Sequence, residues 1–178
     1  MHTTLLIGLF GLVSAAQSAA EEVHFACGVK VGEVTDRSAV IWTRLTAEPE
    51  RNRSGVAWGE SAERVPEGSA LAEMKGSVPG ALGEVRIQWW PRGGVGLRMS
   101  MGWEAVDPSA DFTYQFRVVD QLRAQTTYEF LIEGRALGEE RVRCSLLASF
   151  RTAPDSDRAA TATFTVITGQ EYARRDDE

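Results

Sequence analysis

Apolar and polar residues alternate along most of this chain with a period of two. In DFTYQFRVVD (111–120), Phe112, Tyr114, Phe116 and Val118 face one way and Thr113, Gln115 and Arg117 the other. That is the pattern of a β-strand with one buried face. TYEFLIEGRA (127–136) repeats it with Tyr128, Phe130 and Ile132, and EVRIQWW (84–90) with Val85, Ile87 and Trp89 against Arg86 and Gln88. β-Branched and aromatic content predicts further strands over 23–34, interrupted by Gly28 and Gly32, and over 38–46, 54–60, 73–78 and 145–152. Helical periodicity is nearly absent. Seven or eight short strands separated by turn signals predict an all-β fold, a two-sheet sandwich.

One corner of that sandwich is legible in detail. DQLRAQTTYEFLIEG places Leu122, Thr126 and Tyr128 just ahead of an alternating strand. A Tyr there can turn its hydroxyl back onto the preceding backbone, forming a tyrosine corner. The stretch resembles the Leu-x-Pro-x-Thr-x-Tyr signature of fibronectin type III domains, with Ala124 in the proline's place. The fold expected is therefore fibronectin type III- or immunoglobulin-like. Tyr128 is expected to be a fold device, and Trp42 in the second strand a core residue.

Composition changes the picture at both ends. MHTTLLIGLFGLVSAAQSAA (1–20) holds an apolar run at Leu5–Val13 followed by small residues. This suits a Sec-type secretory signal better than a membrane span, a retained N-terminal anchor being the alternative. A secreted or periplasmic protein with no membrane span after signal removal is expected. The chain of 178 residues carries a net charge of −6, and none of its charged side chains lies in the leader. An acidic domain without a Lys/Arg cluster argues against nucleic-acid partners.

Candidate chemistry is sparse. Cys27 and Cys144 are the two cysteines; in an exported protein an even pair suggests a disulfide, with two free thiols as the alternative. His24 is the one histidine beyond the leader, and no Cys-x-x-Cys accompanies it, so a metal site is not expected. One His also leaves little with which to build a nucleophile and base. Glu139-Glu140 reads as a solvated loop, and PRGGVG (91–96) lacks the Gly-Lys-Ser/Thr of a phosphate-binding loop. Trp58, Trp89, Trp90 and Trp103 could supply a stacking platform for glycans, but packing is the stronger expectation. Trp89 and Trp90 must point to opposite faces.

Longer motifs then resemble a family. FACGVKVGEVTDRSAVIWTRLT (25–46), with Gly28-Val29, Gly32-Glu33 and Trp42-Thr43-Arg44-Leu45, is similar to the opening of secreted alkaline phosphatase D family proteins. ASFRTAP (148–154) resembles the Arg-Thr-Ala-Pro passage out of that family's N-terminal sandwich. FTVITGQEYARRDD (164–177) resembles the first strand and loop of its catalytic metallophosphoesterase domain. The resemblance implies a signal peptide over 1–20, a sandwich over 22–154, a linker over 155–162 and the start of a truncated α/β catalytic domain over 163–178. Thr161–Thr168 would be that domain's stub strand, poorly packed together with the rest of 155–178. It further implies a non-catalytic domain that packs against a metallophosphoesterase domain, its partner in the full-length protein. A stand-alone secreted binding or adhesion module is the alternative. The family's chemistry uses a two-metal site. Its usual Cys ligand position is taken here by Gly169, in Thr168-Gly169-Gln170. No cofactor is expected in this chain, and no phosphoester hydrolysis by it alone.

Overall fold

The computed structural model describes residues 22–58, 65–94, 98–161, 163, 165 and 166. Among these residues seven strands follow one another: β1 (Val29–Gly32), β2 (Ala39–Arg44), β3 (Gly83–Pro91), β4 (Met99–Ala105), β5 (Thr113–Val118), β6 (Thr127–Ala136) and β7 (Cys144–Arg151). They form two antiparallel sheets, one ordered β1-β2-β5 and the other β4-β3-β6-β7. The inner faces pack as a sandwich. Short 3₁₀ turns occupy Leu71–Glu73 and Pro108–Ala110.

Alternation places the core. Val85, Ile87 and Trp89 of β3 and Tyr128, Phe130 and Ile132 of β6 turn inward to meet Ala39, Ile41, Phe116 and Val118 from the smaller sheet. Phe150 of β7 stacks on Tyr128 with ring centroids 5.8 Å apart. Among the described residues the buried Trp89 indole N–H has no hydrogen-bond partner. This is a cost that the apolar burial of the ring outweighs.

The outer face of the larger sheet is a ladder of ion pairs. Arg86 Nε meets Glu133 Oε2 at 2.7 Å and Arg135 Nε meets Glu84 Oε2 at 2.9 Å. Both guanidinium groups also lie against Trp103, at 4.6 and 4.1 Å from its ring centroid. Trp103 belongs to β4, a strand that alternation does not reveal, because Met99–Ala105 has a weak pattern and a central Gly102. A register shift between Val85 and Ile87 accompanies that pairing.

Several expectations are corrected. The segments 54–60 and 73–78 do not form strands among the described residues; a single parallel bridge joins Val56 to Met74. The first strand is only Val29–Gly32, because the turn closed by Gly28 N–H on the Phe25 carbonyl (2.9 Å) separates it from the bridge of His24 to Thr46. Trp42 is not in the core. Ala39, Ile41 and Thr43 take the inward positions of β2, so Trp42 lies on the outer face with Lys30 Nζ 5.1 Å from its ring. The disulfide is absent: Cys27 and Cys144 are free thiols. Cys27 is exposed with its sulfur 3.7 Å from Arg44 Nη1, whereas the Cys144 sulfur is tucked over Gly134, where an added Cβ would lie 2.7 Å from it. Among the described residues of Thr161–Thr168 no strand forms, and Val166 is exposed. The rest of that segment, Gly169 and the leader 1–20 lie outside the described residues.

Candidate functional site

Loops converge at the end of the sandwich where the chain leaves it. The β1–β2 loop (33–38), the β5–β6 loop (119–126) and the peptide after β7 (152–158) meet there. The corner is built by Tyr128 at the start of β6. Its hydroxyl accepts the Arg123 N–H at 2.9 Å, and Leu122 is buried beneath it. Thr126 Oγ1 donates to the Ala124 carbonyl at 2.9 Å.

Thr152, one residue past β7, ties the exit peptide to this corner. Its hydroxyl is almost wholly buried, accepts the Thr126 N–H at 2.9 Å and donates to the Arg123 carbonyl at 2.6 Å. Its own N–H bonds the Thr126 carbonyl at 3.0 Å. Ala153 then bridges both sheets. Its N–H reaches the Thr35 carbonyl at 3.0 Å and its carbonyl takes the Gln125 N–H at 2.9 Å. Thr35 in turn closes the β1–β2 turn through hydrogen bonds with Ser38, including a side-chain pair at 2.7 Å. The polar part of the Arg-Thr-Ala-Pro segment is therefore consumed in fastening the chain's exit.

Around this fastening lies an open depression of about 540 Å³ lined by Asp36, Arg37, Asp120, Leu122, Arg123, Ala124 and Asp155. Its rim carries both signs of charge, with Arg37 Nε 3.4 Å from Asp36. Glu33, Asp120 and Gln125 hold positive φ angles of 49°, 55° and 51° at this end. Non-glycine residues in that region are uncommon and concentrate at sites where a loop's shape matters.

The opposite end is held by Arg44, the arginine of the Trp-Thr-Arg-Leu stretch. Its guanidinium bonds the Asp111 carbonyl at 3.0 Å, the Val78 carbonyl at 2.9 Å and Asp111 Oδ1 at 2.8 Å. Burial alone would lower its pKa, but the bonds to Asp111 and Cys27 outweigh that and raise it, so the charge is secure. The clamp holds Asp111 and Phe112 at φ 56° and 58°, and the Phe112 ring lies against Gly80, where any side chain would collide with it. In the sequence Arg44 and Thr152 are motif letters without a role, because their partners, backbone groups and the Asp111 carboxylate, are brought in by tertiary structure.

The described residues do not fit a two-metal centre. No three His, Cys, Asp or Glu side chains converge among them. His24 bridges to the Thr46 strand end with Nε2 3.7 Å from Glu22. The pKa of Cys144 is pushed up to about 12 by burial, partly offset by a hydrogen bond involving Gly134, which keeps it a neutral thiol. The tryptophans do not form a bare platform either. Trp42 stacks with Lys30, Trp90 with Arg98 at 4.2 Å, and Trp103 with Arg86 and Arg135, while Trp89 is buried. Trp58 donates its indole N–H to the Lys75 carbonyl at 2.8 Å. No helix among the described residues is long and apolar enough to cross a membrane.

The family model described as PhoD-like phosphatase, N-terminal domain, matches residues 11–154. That match starts inside the segment read as a leader. Among solved structures, the chain is similar to one described as the structure of PhoD, at 17% identity and a TM-score of 0.49, covering 80% of this chain and 21% of that one. It is also similar to the sensor domain of the anti-sigma factor RsgI4 in Pseudobacteroides cellulosolvens, at 16% identity and a TM-score of 0.40, covering 77% of this chain and 99% of that one. No curated protein matches the chain. The chain thus spans about a fifth of the PhoD chain's length.

Proposed function

Because this chain belongs to the family of PhoD-like phosphatase N-terminal domains, we propose that its sandwich is the non-catalytic partner of a metallophosphoesterase domain, exported from the cytoplasm and presenting its exit end to that domain. The observation that carries this reading is the fastening of Thr152 and Ala153 to the β1–β2 and β5–β6 loops. A segment pinned in this way leaves the sandwich in one direction and keeps the chain beyond Pro154 close to these loops. A short tether raises the effective concentration of two linked surfaces to about the millimolar range. A mixed-charge, partly apolar rim also suits an interdomain contact, since such contacts are more polar than domain cores. The catalytic domain would supply the metal ions and the hydrolysis; the sandwich would border its site.

Binding in trans tests this. A separately produced metallophosphoesterase domain of the same family is titrated into isotope-labelled chain and followed by NMR. Shifts confined to residues 33–37, 119–126 and 152–158 are expected. Shifts centred on the outer face of β3, β4 and β6 would reject the exit-end contact. Metal-dependent hydrolysis of p-nitrophenyl phosphate by the chain alone would reject the non-catalytic reading.

A further inference from the structure

Among the described residues β7 is an edge strand, paired on one side only. The sheet order ends at β7, whose ladder to β6 pairs Thr127 with Arg151 through to Gly134 with Cys144. Thr152 N–H continues that ladder to the Thr126 carbonyl. Hydrogen-bonding direction alternates along an antiparallel strand, so Cys144, Leu146, Ala148 and Phe150 also turn their backbone groups toward β6. Ser145, Leu147, Ser149 and Arg151 turn theirs the other way. Among the described residues these outward groups meet no backbone partner. Among the described residues little blunts the edge: β7 has no Pro, no Lys and no inward charge, Arg151 at its end is its one charged residue, and Leu147 and Ser149 are exposed, the Ser149 hydroxyl taking a bond from Arg92 Nη2 at 3.0 Å. Long edges of this kind are templates for another strand unless something covers them.

We propose that a second copy of this chain covers it, the two β7 strands pairing antiparallel about a twofold axis at Ala148 to make one continuous sheet. The strand's own sequence argues for this occupant. With the axis at Ala148, Ser145 pairs with Arg151 and Leu147 with Ser149 of the second copy, so every outward N–H and C=O gains a partner in phase. Arg151 meets a serine instead of its own twin, which avoids the like-charge opposition that destabilises a ladder. The two Leu147 side chains become diagonal neighbours on the outer face. On the inner face Leu146 lies opposite Phe150, two residues that are half-buried in the single chain. The small Ala148 sits on the axis itself, where paired strands approach most closely, at about 4.5 Å between Cα atoms. The contact is isologous and closed, as a twofold contact must be.

The test uses the full chain. Sedimentation equilibrium across about 1–100 µM, the range of modest interfaces, is expected to show a reversible dimer. Leu147→Pro removes an outward N–H without touching the ladder to β6, a substitution edge strands tolerate. It should raise the dissociation constant at least about tenfold, with circular dichroism unchanged. Should that variant fail to fold, Leu147→Lys serves in its place. Ala148→Cys, made in a Cys27→Ser chain so that the exposed native thiol cannot cross-link, provides the register check: two cysteines about 4.5 Å apart at Cα lie within disulfide reach, so a covalent dimer should form under mild oxidation. A monomer throughout the range overturns the proposal, as does a dimer that survives both Leu147 variants or an Ala148→Cys chain that does not cross-link. A monomer whose Leu147 and Ser149 amides resist hydrogen exchange would also overturn it and would assign the edge to the chain's own 161–168 segment.

Discussion

The Tyr128 hydroxyl takes the Arg123 N–H from inside the core, while its ring is buried and stacks on Phe150. Replacing it with Phe keeps the packing and leaves that N–H unsatisfied, so Tyr128→Phe is expected to cost about 1–2 kcal/mol in urea unfolding. The two thiols differ in the same residue-by-residue way. Cys27 is exposed, whereas Cys144 is half-buried with its pKa pushed up to about 12. A thiol reagent at neutral pH should therefore modify Cys27 alone, with Cys144 reacting only after denaturation, as read by mass spectrometry. The same shift sets the sign of the linked pH effect. The folded state holds the Cys144 proton more tightly than the unfolded chain, whose thiol titrates near 9.0. Its contribution to stability is complete below that value and is lost as pH rises toward 12. Cys144→Ala should flatten the alkaline fall in unfolding free energy.

At the scale of elements, two side chains join segments that the strand ladders alone would leave apart. Thr152 links the end of β7 to the β5–β6 loop through both its backbone and its hydroxyl. Thr152→Val keeps the shape but strands the Thr126 N–H and the Arg123 carbonyl. A loss of about 1–3 kcal/mol is expected, with faster exchange of the Gln125 and Ala153 amides than of amides in β3. Arg44 joins the end of β2 to Val78 and Asp111. Its bonds are charge-assisted, and Arg44→Met takes them from the part-buried Val78 and Asp111 carbonyls, so about 2–3 kcal/mol is expected. Lys is not an adequate substitute, because one ammonium cannot reproduce the fork that spans these acceptors.

At the scale of the whole molecule, the described residues concentrate their stability in the two-sheet core and the exit fastening. Residues 156–160 are exposed, and Arg158 lies in a turn closed by its N–H on the Asp155 carbonyl at 3.0 Å. Limited trypsin treatment should cut after Arg158 before any arginine within the described strands, and leave the β-sheet circular dichroism intact. Early cleavage within β3 or β6 would contradict a core that holds together as one unit.

Much of this was written in local order along the chain. Period-2 alternation identified β3, β5 and β6 with their inward faces, because one buried face imposes that period whatever the partner strand. The spacing of Leu122, Thr126 and Tyr128 marked the corner, because its hydrogen bond closes over only five residues. The family motifs pointed to the family whose model matches the chain. Tertiary structure alone decided the rest. Trp42 went outward because the neighbouring β2 positions were claimed by the core. Cys27 and Cys144 stayed apart because one sulfur turns to Arg44 and the other to Gly134. Arg44 and Thr152 gained their roles from carbonyls, amides and, for Arg44, the Asp111 carboxylate, all distant in sequence; backbone groups carry no sequence signature, and a pair 67 residues apart has no local one. The place of β7 at the sheet's edge among the described residues likewise comes only from the order of strands, which alternation along a single strand does not encode.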